Sequence, residues 1–215
     1  MYLKRQQVPK SWPISRKGTA YLVRPKGSIK DGIPLLIVLR DILKITQNRT
    51  ETKKAINSGL IMLNGGKIRD ERISLCLFDV ISIVPEKKYY QLILTKNKKF
   101  DVEEIKENDS KNKIAKITNK RTLKGKKVQL NLSDGRNFLS TIKCNVNDSV
   151  LINFKDKKIE KCLPLKEKEK AIVFSGKHAG KRGIIEKIDT KNKMIELKGD
   201  EEKINVLIKH MMVIE

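Results

Sequence analysis

The sequence predicts an α+β fold that is mostly β. Short runs of Ile, Leu and Val, separated by Gly, Asn and Asp, recur from residue 60 to the C-terminus, and this spacing is typical of strands joined by tight turns. Helical spacing of apolar residues is confined to 34–58. The first 33 residues contain six Pro and Gly residues, which favours an irregular segment. A chain of 215 residues has room for several small domains.

The charge balance indicates a polyanionic partner. Lys and Arg number 48 and Asp and Glu number 25, so the formal net charge is +23. A compact body with that surplus repels itself unless a polyanion lies close by. Nucleic acid and an anionic membrane surface are the two candidates. The sequence has no apolar run of about 18 residues, and its start lacks the apolar core of a secretory signal. We therefore expect a cytosolic protein whose partner is nucleic acid.

The Cys and His residues predict neither a metal site nor a catalytic centre. Cys76, Cys144 and Cys162 are far apart in sequence, and the only histidines are His178 and His210. A zinc site needs several ligands of these types at close spacing. No Ser/His/Asp or Cys/His set can be assembled either. We therefore expect free buried thiols, with no catalytic residue, no metal and no cofactor.

Residues 1–33 predict a basic N-terminal arm. They hold eight Lys and Arg residues and one acid, Asp31. Because apolar side chains are so few, we expect the arm to gain order only by lying on phosphate groups. Trp12 leaves two interpretations open. It stacks on an unpaired base, or it packs as an apolar anchor on the protein's own surface, which we favour because Trp usually buries.

Two helices and a small sheet are predicted after the arm. Pro34 suits the first position of a helix, because its φ angle is preset and a donor is not needed there, and Leu and Ile follow it at helical spacing. A second helix is predicted over about 50–58, capped by Asn48 or Thr50 and ended by Gly59. Strands are predicted at 60–63 and 79–84, with a turn at 64–66.

The rest of the chain is predicted to be β structure in two parts, 86–168 and 169–215. The turn Ser133-Asp134-Gly135 predicts a hairpin in the first part. In the second part the strands are expected in AIVF, GIIEKI, KMIELK and KINVLIK. Those of the first part are expected at 89–95, 127–132, 136–144 and 149–154.

The loop over 175–183 is the densest candidate binding element. Its sequence SGKHAGKRG combines three glycines with three basic residues. A nucleotide-binding P-loop is not predicted, because the last Gly leads into a strand and Lys181 is not followed by Ser or Thr. The segment AIVFSGKHAGKRGIIEKID resembles the KOW motif of ribosomal proteins and transcription elongation factors. The resemblance implies a five-stranded SH3-like barrel whose basic loop touches RNA or protein, with Gly176 and Gly183 shaping the barrel.

The segment NRTETKKAINSGLIMLNGGKI, followed by DVISIV, resembles the αL-type RNA-binding domain of ribosomal protein S4 and of several RNA-modifying enzymes. That pattern has basic residues opening the second helix, a turn of the Asn-Gly type and a final strand that begins with Asp. Asn64 stands at the turn and Asp79 at the strand. A helix N-terminus with neighbouring lysines is a rigid positive patch for RNA backbone.

The start LKRQQVPKSWPISRKGTAYLVRPKGS, followed by IPLLIVLRDIL, resembles the S4e family of small-subunit ribosomal proteins, the archaeal and eukaryotic type. This resemblance extends over essentially the whole chain, and the short segment after the last strands favours an archaeal-like member. It implies four parts in order: a basic N-terminal arm (1–33), an αL-type, S4-like RNA-binding domain (34–85), a central β domain (86–168) and a C-terminal KOW SH3-like β-barrel (169–215).

The resemblance implies a structural constituent of the small ribosomal subunit, in the cytoplasm. Its partners would be small-subunit rRNA and neighbouring small-subunit ribosomal proteins, with no membrane. Binding would depend on phosphate contacts, since double-helical RNA offers side chains little sequence to read. Two alternatives are an RNA-modifying enzyme, for which the central part is short, and a KOW-type transcription factor, which leaves the αL-type unit unexplained. The residues expected to contact RNA are Arg5, Lys10, Arg16, Lys17, Arg24, Lys26, Arg49, Lys53, Lys54, Lys67, Arg69, Lys177, Lys181 and Arg182.

Overall fold

The computed structural model describes residues 2–140, 142–199 and 203–214. It forms two compact units, an N-terminal unit (1–111) and a C-terminal unit (112–215). Both units consist mainly of antiparallel strands, and the helices of the described residues are short. The predicted α+β, mostly β fold class is confirmed.

The N-terminal unit contains one five-stranded sheet and two ribbons of two strands each. Its elements are β1 (Tyr2–Lys4), β2 (Tyr21–Val23), β3 (Gly32–Pro34), α1 (Leu35–Ile37), α2 (Arg49–Asn57), β4 (Ile61–Leu63), β5 (Gly66–Lys67), β6 (Ser74–Cys76), β7 (Val80–Ile83), β8 (Lys88–Leu94) and β9 (Phe100–Ile105). The sheet has the order β5-β4-β7-β8-β9, and the ribbons pair β1 with β2 and β3 with β6. Every pairing is antiparallel.

The first helix begins at Leu35 and not at Pro34, the first helical position that the sequence predicts, because Pro34 is extended (ψ 139°) and pairs with Ser74 in the β3–β6 ribbon. A π-helical turn (Val38–Ile42) continues α1 and is closed by the Leu43 N–H, which donates to the Val38 carbonyl at 2.9 Å. The sequence indicated one apolar face, but the five side chains of 35–39 are all at most 1 % exposed. The first turn is therefore covered on all sides, and its polar surface starts only at Arg40.

Helix α2 has the predicted N-terminal cap. The Asn48 side chain accepts a hydrogen bond from the Glu51 N–H at 2.9 Å, and the Glu51 carboxylate accepts one from the Gln47 N–H at 2.7 Å. This reciprocal arrangement satisfies backbone donors that the first turn leaves open. Gly59 follows the helix with φ +71°, a conformation that Gly adopts without strain. The cap fixes Arg49 as the first residue of the helix.

The Asn-Gly turn and the Asp of the final strand form one hydrogen-bonded network. Asn64 and Gly65 have φ angles of +50° and +70° and join β4 to β5. The Asn64 amide donates to Asp79 Oδ1 at 2.8 Å, and its oxygen accepts from the Val80 N–H at 2.9 Å. Asp79 also accepts from the Cys76 N–H at 2.6 Å. Both residues of the αL-type pattern therefore fasten the β4–β5 hairpin to β7.

The arm is held by the N-terminal unit, so the expectation that it lacks a fold of its own is wrong. Strands β1 and β2 pair, and Leu3 and Leu22 on them are 6 % exposed each. The Arg5 guanidinium donates to the Thr19 carbonyl at 2.6 Å and to the Ser15 carbonyl at 2.5 Å. These bonds close the arm into a loop, so fewer apolar side chains suffice to hold it than the composition suggested.

Trp12 is the apolar anchor of the arm. Its side chain is 3 % exposed, and Nε1 donates to the Gly32 carbonyl at 3.1 Å. Next to it, the Phe100 N–H donates to the Ser11 carbonyl at 2.8 Å and attaches the arm to β9. The anchor interpretation is confirmed, and base stacking by Trp12 is wrong because the indole is enclosed.

Strands β8 and β9 extend the sheet of the N-terminal unit. Strand β8 pairs with β7, and β9 pairs with β8. Leu92, Leu94 and Phe100 on these strands are buried in that unit. The boundary expected between 85 and 86 therefore crosses a continuous sheet, because only the short turn at 84–87 separates β7 from β8.

The C-terminal unit contains two five-stranded antiparallel sheets. Its strands are β10 (Asn112–Thr122), β11 (Val128–Leu132), β12 (Asn137–Ser140), β13 (Ser149–Asn153), β14 (Lys158–Leu163), β15 (Lys170–Val173), β16 (Arg182–Asp189), β17 (Met194–Lys198), β18 (Lys203–Leu207) and β19 (Met211–Val213). The orders are β12-β11-β10-β13-β14 and β18-β17-β16-β15-β19. Each sheet has a hydrophobic core, and Leu163 of β14 in the first sheet packs into the core of the second.

The central strand of the first sheet, β10, was not predicted. Lys113, Lys116 and Lys120 interrupt its apolar alternation, yet Lys113 and Lys116 are each 2 % exposed. Lys113 forms an ion pair with Asp134 at 3.0 Å. Burial acts to raise the pKa of Asp134, but Lys113 and Arg136 outweigh it and lower that pKa. Asp134 lies in the predicted hairpin turn, which joins β11 to β12.

The second sheet confirms the four strands predicted for its segment and adds β19. Gly183 on β16 is required by close packing, since a Cβ atom there would lie 2.5 Å from the Lys198 carbonyl oxygen. Gly176 adopts φ +90° in the loop before β16. Both glycines therefore shape the backbone, as the sequence indicated.

Two polar side chains join the sheets of the C-terminal unit. Ser149 Oγ on β13 accepts from the Val213 N–H at 3.0 Å. Lys116 Nζ donates to the Met211 carbonyl at 2.8 Å and also to the Ile208 carbonyl. Burial lowers the pKa of Lys116 to about 8. The ammonium group is thus enclosed and is stabilised by backbone carbonyl dipoles.

Replacing the anchor should release the arm. We expect Trp12→Ala to leave a cavity under 2–31, because large-to-small core substitutions of Trp cost about 3–5 kcal/mol, so amide hydrogen exchange should accelerate in β1 and β2. Hydrogen-exchange mass spectrometry measures this, with Leu139→Ala as the control, since Leu139 is 63 % exposed. Unchanged exchange in β1 and β2 would contradict the anchor.

Lys116 should make stability depend on pH. Its pKa is about 8 in the fold and 10.5 in an unfolded chain, so between these values the unfolded state binds more protons and stability rises with pH. We expect the unfolding free energy to rise by roughly 1–3 kcal/mol over this window, and the rise to shrink in Lys116→Met. Urea unfolding at several pH values checks it, with the exposed Lys120→Met as control. An equal pH dependence in both variants would refute this.

Candidate nucleic-acid interface

A basic pocket lies between α2 and the segment 69–72. Its volume is about 290 Å³, and it is lined by Arg49, Lys53, Asn57, Arg69, Asp70, Glu71 and Arg72. Helix α2 supplies the first three of these residues. The other wall is fixed by the backbone, because the Leu36 N–H donates to the Glu71 carbonyl at 3.0 Å. The fold therefore brings Arg49 and Arg69, which are 20 positions apart in the sequence, to the same pocket.

Both acids of this pocket are already paired. Glu71 is 4 % exposed and accepts from Arg49 Nε at 2.8 Å. Asp70 pairs with Lys26 at 2.8 Å and with Arg72 at 3.0 Å. The Arg72 side chain, with help from Lys26 and against the effect of burial, holds the pKa of Asp70 well below its usual range. Asp70 thus remains ionised, and both carboxylates orient cations at the rim.

Two cations of the pocket have no acid of their own. Among the residues that the structure describes, no ion pair holds Lys53 or Arg69, and both are exposed. The pocket carries four Lys and Arg side chains against two paired acids. It can therefore bind an anion of the size of a phosphate group without breaking a pair.

A second recess, the arm groove, runs along the N-terminal arm. Its volume is about 970 Å³, and no acid lines it within the described residues. It brings together the predicted Arg5, Lys10 and Arg16 and adds Lys4 and Lys99, which the sequence analysis missed. Lys99 lies in the turn before β9, so only the tertiary fold could reveal it.

The loop before β16 presents the third group of predicted residues. Lys177 and Arg182 are exposed, and Lys181 is half-buried. The Gly180 N–H donates to the Val173 carbonyl at 2.7 Å, which closes the loop onto β15.

His210 supports this loop from the other side. A Cβ atom on Gly176 would lie 3.0 Å from its Nδ1 atom. Burial, with Lys209 and Lys116 nearby, lowers the pKa of His210, which favours the neutral ring. The basic loop is therefore held in one shape by its bond to β15 and by its packing on His210.

The remaining predicted residues do not join one of these three groups. All are exposed, and Lys26 is engaged by Asp70. Lys54 follows Lys53 on α2 but does not line the pocket, because adjacent helix positions point in different directions. These residues are Lys17, Arg24, Lys26, Lys54 and Lys67.

The described residues also bear on metal binding, membrane crossing and thiol reactivity. They contain no group of three His, Cys, Asp or Glu side chains placed to hold a metal ion, and no helix among them is long and apolar enough to cross a membrane. Their three cysteines are free thiols. Burial and the neighbouring Cys144 and Asp148 raise the pKa of Cys162 to about 12, so its thiol stays protonated.

Comparison with known proteins gives consistent matches. The family described as Ribosomal family S4e matches residues 86–159. The chain is 34 % identical over 190 residues to small ribosomal subunit protein eS4 of Methanocella arvoryzae, covering 87 % of this chain and 80 % of that relative. It is 30 % identical over 220 residues to the eS4 protein of Archaeoglobus fulgidus, covering 100 % of this chain and 93 % of the relative.

A solved structure shows the same fold. The crystal structure of the 30S ribosomal protein S4e from Thermoplasma acidophilum matches with a TM-score of 0.74 and 23 % identity, over 86 % of this chain and 95 % of that chain. Two relatives that are 30 % identical, the eS4 proteins of Natronomonas pharaonis and Archaeoglobus fulgidus, match 99 % and 100 % of this chain. The chain therefore belongs to the S4e family of ribosomal proteins, whose members are structural, non-enzymatic proteins of the small ribosomal subunit.

Proposed function

We propose that this ribosomal protein binds small-subunit rRNA and stabilises the fold of that RNA, while it contacts neighbouring small-subunit ribosomal proteins. It acts in the ribosome, in the cytoplasm. The observation that carries the proposal is the pair of basic recesses in the N-terminal unit, the pocket beside α2 and the arm groove. Their cations face solvent in a molecule whose net charge is +23.

The recesses suit RNA backbone because they combine fixed shape with unpaired positive charge. Phosphate contacts by Lys and Arg supply most of the affinity of such proteins and set their orientation on the RNA. In the pocket, Arg49 is held by Glu71 at the start of α2, where the helix dipole adds positive potential. In the arm groove, Trp12 and the Arg5 hydrogen bonds fix the wall. Ordered side chains lose less entropy when the RNA binds.

We further propose the four-part division that the sequence indicated, with strands β8 and β9 shared between its second and third parts. Residues 34–85 would be the αL-type, S4-like RNA-binding domain, supported by the Asn64–Asp79 network and the capped α2. Residues 169–215 would be the KOW SH3-like barrel, supported by five antiparallel strands and by the close packing at Gly183. The basic loop at 175–183 would contact RNA or a protein neighbour.

Neutralising the arm groove should weaken rRNA binding and its dependence on salt. We expect the triple variant Lys4→Gln, Lys10→Gln and Arg16→Gln to make the plot of log association constant against log salt concentration less steep. The magnitude of its negative slope should fall by about 2–3, since each lost phosphate contact removes roughly 0.7–0.9. Filter binding or fluorescence anisotropy with transcribed small-subunit rRNA, from 50 to 200 mM salt, measures it.

The matched control removes the same charge elsewhere. Lys155→Gln, Lys157→Gln and Lys158→Gln change three exposed lysines of the β13–β14 hairpin. If this variant weakens binding as much as the groove variant, binding follows net charge alone and the groove is not the site. If neither protein nor variant binds rRNA at 50 mM salt, the proposed function fails.

A further inference from the structure

Two exposed tyrosines lie side by side on the first ribbon of the N-terminal unit. Tyr2 is 67 % and Tyr21 60 % exposed, whereas Trp12 is 3 % exposed. Their ring centroids are 6.3 Å apart, and the ring planes are inclined by 56°. Large aromatic rings usually bury in folded proteins, so two neighbouring rings in water indicate a binding surface.

The strand register explains why both rings face outward. Leu3 on β1 pairs with Leu22 on β2, and these two side chains fill the buried face of the ribbon. Side chains alternate along a strand, so Tyr2, Lys4 and Tyr21 share the opposite face. Lys4 stands directly across from Tyr21 in the register. The exposed face thus presents two aromatic rings with an ammonium group beside them.

This face is continuous with the arm groove. Lys4 and Tyr21 both line that groove, which also holds Arg5, Lys10 and Arg16. A groove with cations and no acid fits a phosphate backbone, and aromatic rings at its rim fit the faces of nucleic acid bases. The combination of a cationic track with aromatic platforms is the arrangement by which proteins hold single strands.

Paired RNA cannot use such rings. In a double helix each base is stacked between its neighbours, and side chains meet mainly phosphates and 2′-hydroxyls. An unpaired base has two free faces and gains stacking energy from a ring. The exposed rings therefore favour a single-stranded segment over a duplex.

We propose that Tyr2 and Tyr21 form a stacking platform for unpaired RNA bases, with the adjoining phosphates lying in the arm groove. This inference rests on the proposed function, because it takes RNA as the ligand, and it narrows that ligand to a loop, bulge or linker. Base stacking, one of the two roles considered for Trp12 from the sequence, is thus assigned to these tyrosines. Trp12 is instead a buried anchor of the arm, bonded to the Gly32 carbonyl.

The test compares a single strand with a duplex. The probes are a fluorescein-labelled oligoadenylate of nine nucleotides and an RNA duplex of nine base pairs. We expect the double variant Tyr2→Leu and Tyr21→Leu to bind the oligoadenylate roughly 5- to 100-fold more weakly at every salt concentration. Its affinity for the duplex should stay within about twofold, because stacking contributes nothing there.

The matched control keeps the rings. Tyr2→Phe with Tyr21→Phe retains both stacking faces, so its oligoadenylate affinity should remain within about twofold of the unaltered protein. Fluorescence of Trp12 reports whether the arm still packs in each variant, since Trp12 is the only Trp. Equal oligoadenylate affinity of the Leu and Phe variants, with unshifted Trp emission, overturns the platform.

A second measurement uses the unaltered protein, in case the arm of the Leu variant no longer packs on the N-terminal unit. Oligoadenylate carrying one 4-thiouridine is photo-crosslinked to the unaltered protein, and the attachment sites are mapped by mass spectrometry. Crosslinks to Tyr2 or Tyr21 support the platform, and crosslinks confined to other residues overturn it. Loss of binding to oligoadenylate, duplex and rRNA alike would instead contradict the proposed function.

Discussion

The charge surplus is the constraint on which the rest of this structure depends. With 48 Lys and Arg against 25 Asp and Glu, the cations exceed the acids by 23. Each exposed cation is well solvated, but together they repel one another and oppose a compact fold. Two units with small cores keep most of these side chains at the surface. The same exposed Lys and Arg side chains that repel one another in the isolated chain allow it to bind a polyanion.

Where a cation is buried, the fold supplies a specific partner for it. Lys113 meets Asp134 in a buried ion pair, and Lys116 meets the backbone carbonyls of Ile208, in the turn before β19, and of Met211 on β19. A buried charge without a partner is strongly unfavourable. Glu71 serves a similar purpose at the pocket, where it holds Arg49 at the start of α2. Acids are thus used to orient selected cations, while the others remain available for phosphate.

The sequence predicted the elements whose signals are local and missed those that depend on tertiary contacts. The Asn48 cap, the Asn64-Gly65 turn and the loop before β16 follow from neighbouring residues and were foreseen. Strand β10 was missed because its buried lysines break the apolar alternation and their partners are distant in sequence. Asp134 lies 21 positions from Lys113, and the Met211 carbonyl lies 95 positions from Lys116. The arm groove was partly predicted. Arg5, Lys10 and Arg16 were expected to bind, whereas Lys99 lies at the groove because the Phe100 N–H bonds to the Ser11 carbonyl. Trp12 was correctly favoured as an anchor, whereas the exposed Tyr2 and Tyr21 were not singled out, because only the strand register shows which aromatic side chains face outward.

The most direct test of the central claim is where the protein travels in the cell. Lysate is fractionated on a sucrose gradient at moderate salt, and the protein is located by immunoblotting or mass spectrometry. If the surplus charge exists to hold ribosomal RNA, the protein sediments with small ribosomal subunits and leaves them only at high salt. Recovery solely in the slowly sedimenting fractions at moderate salt would contradict the account.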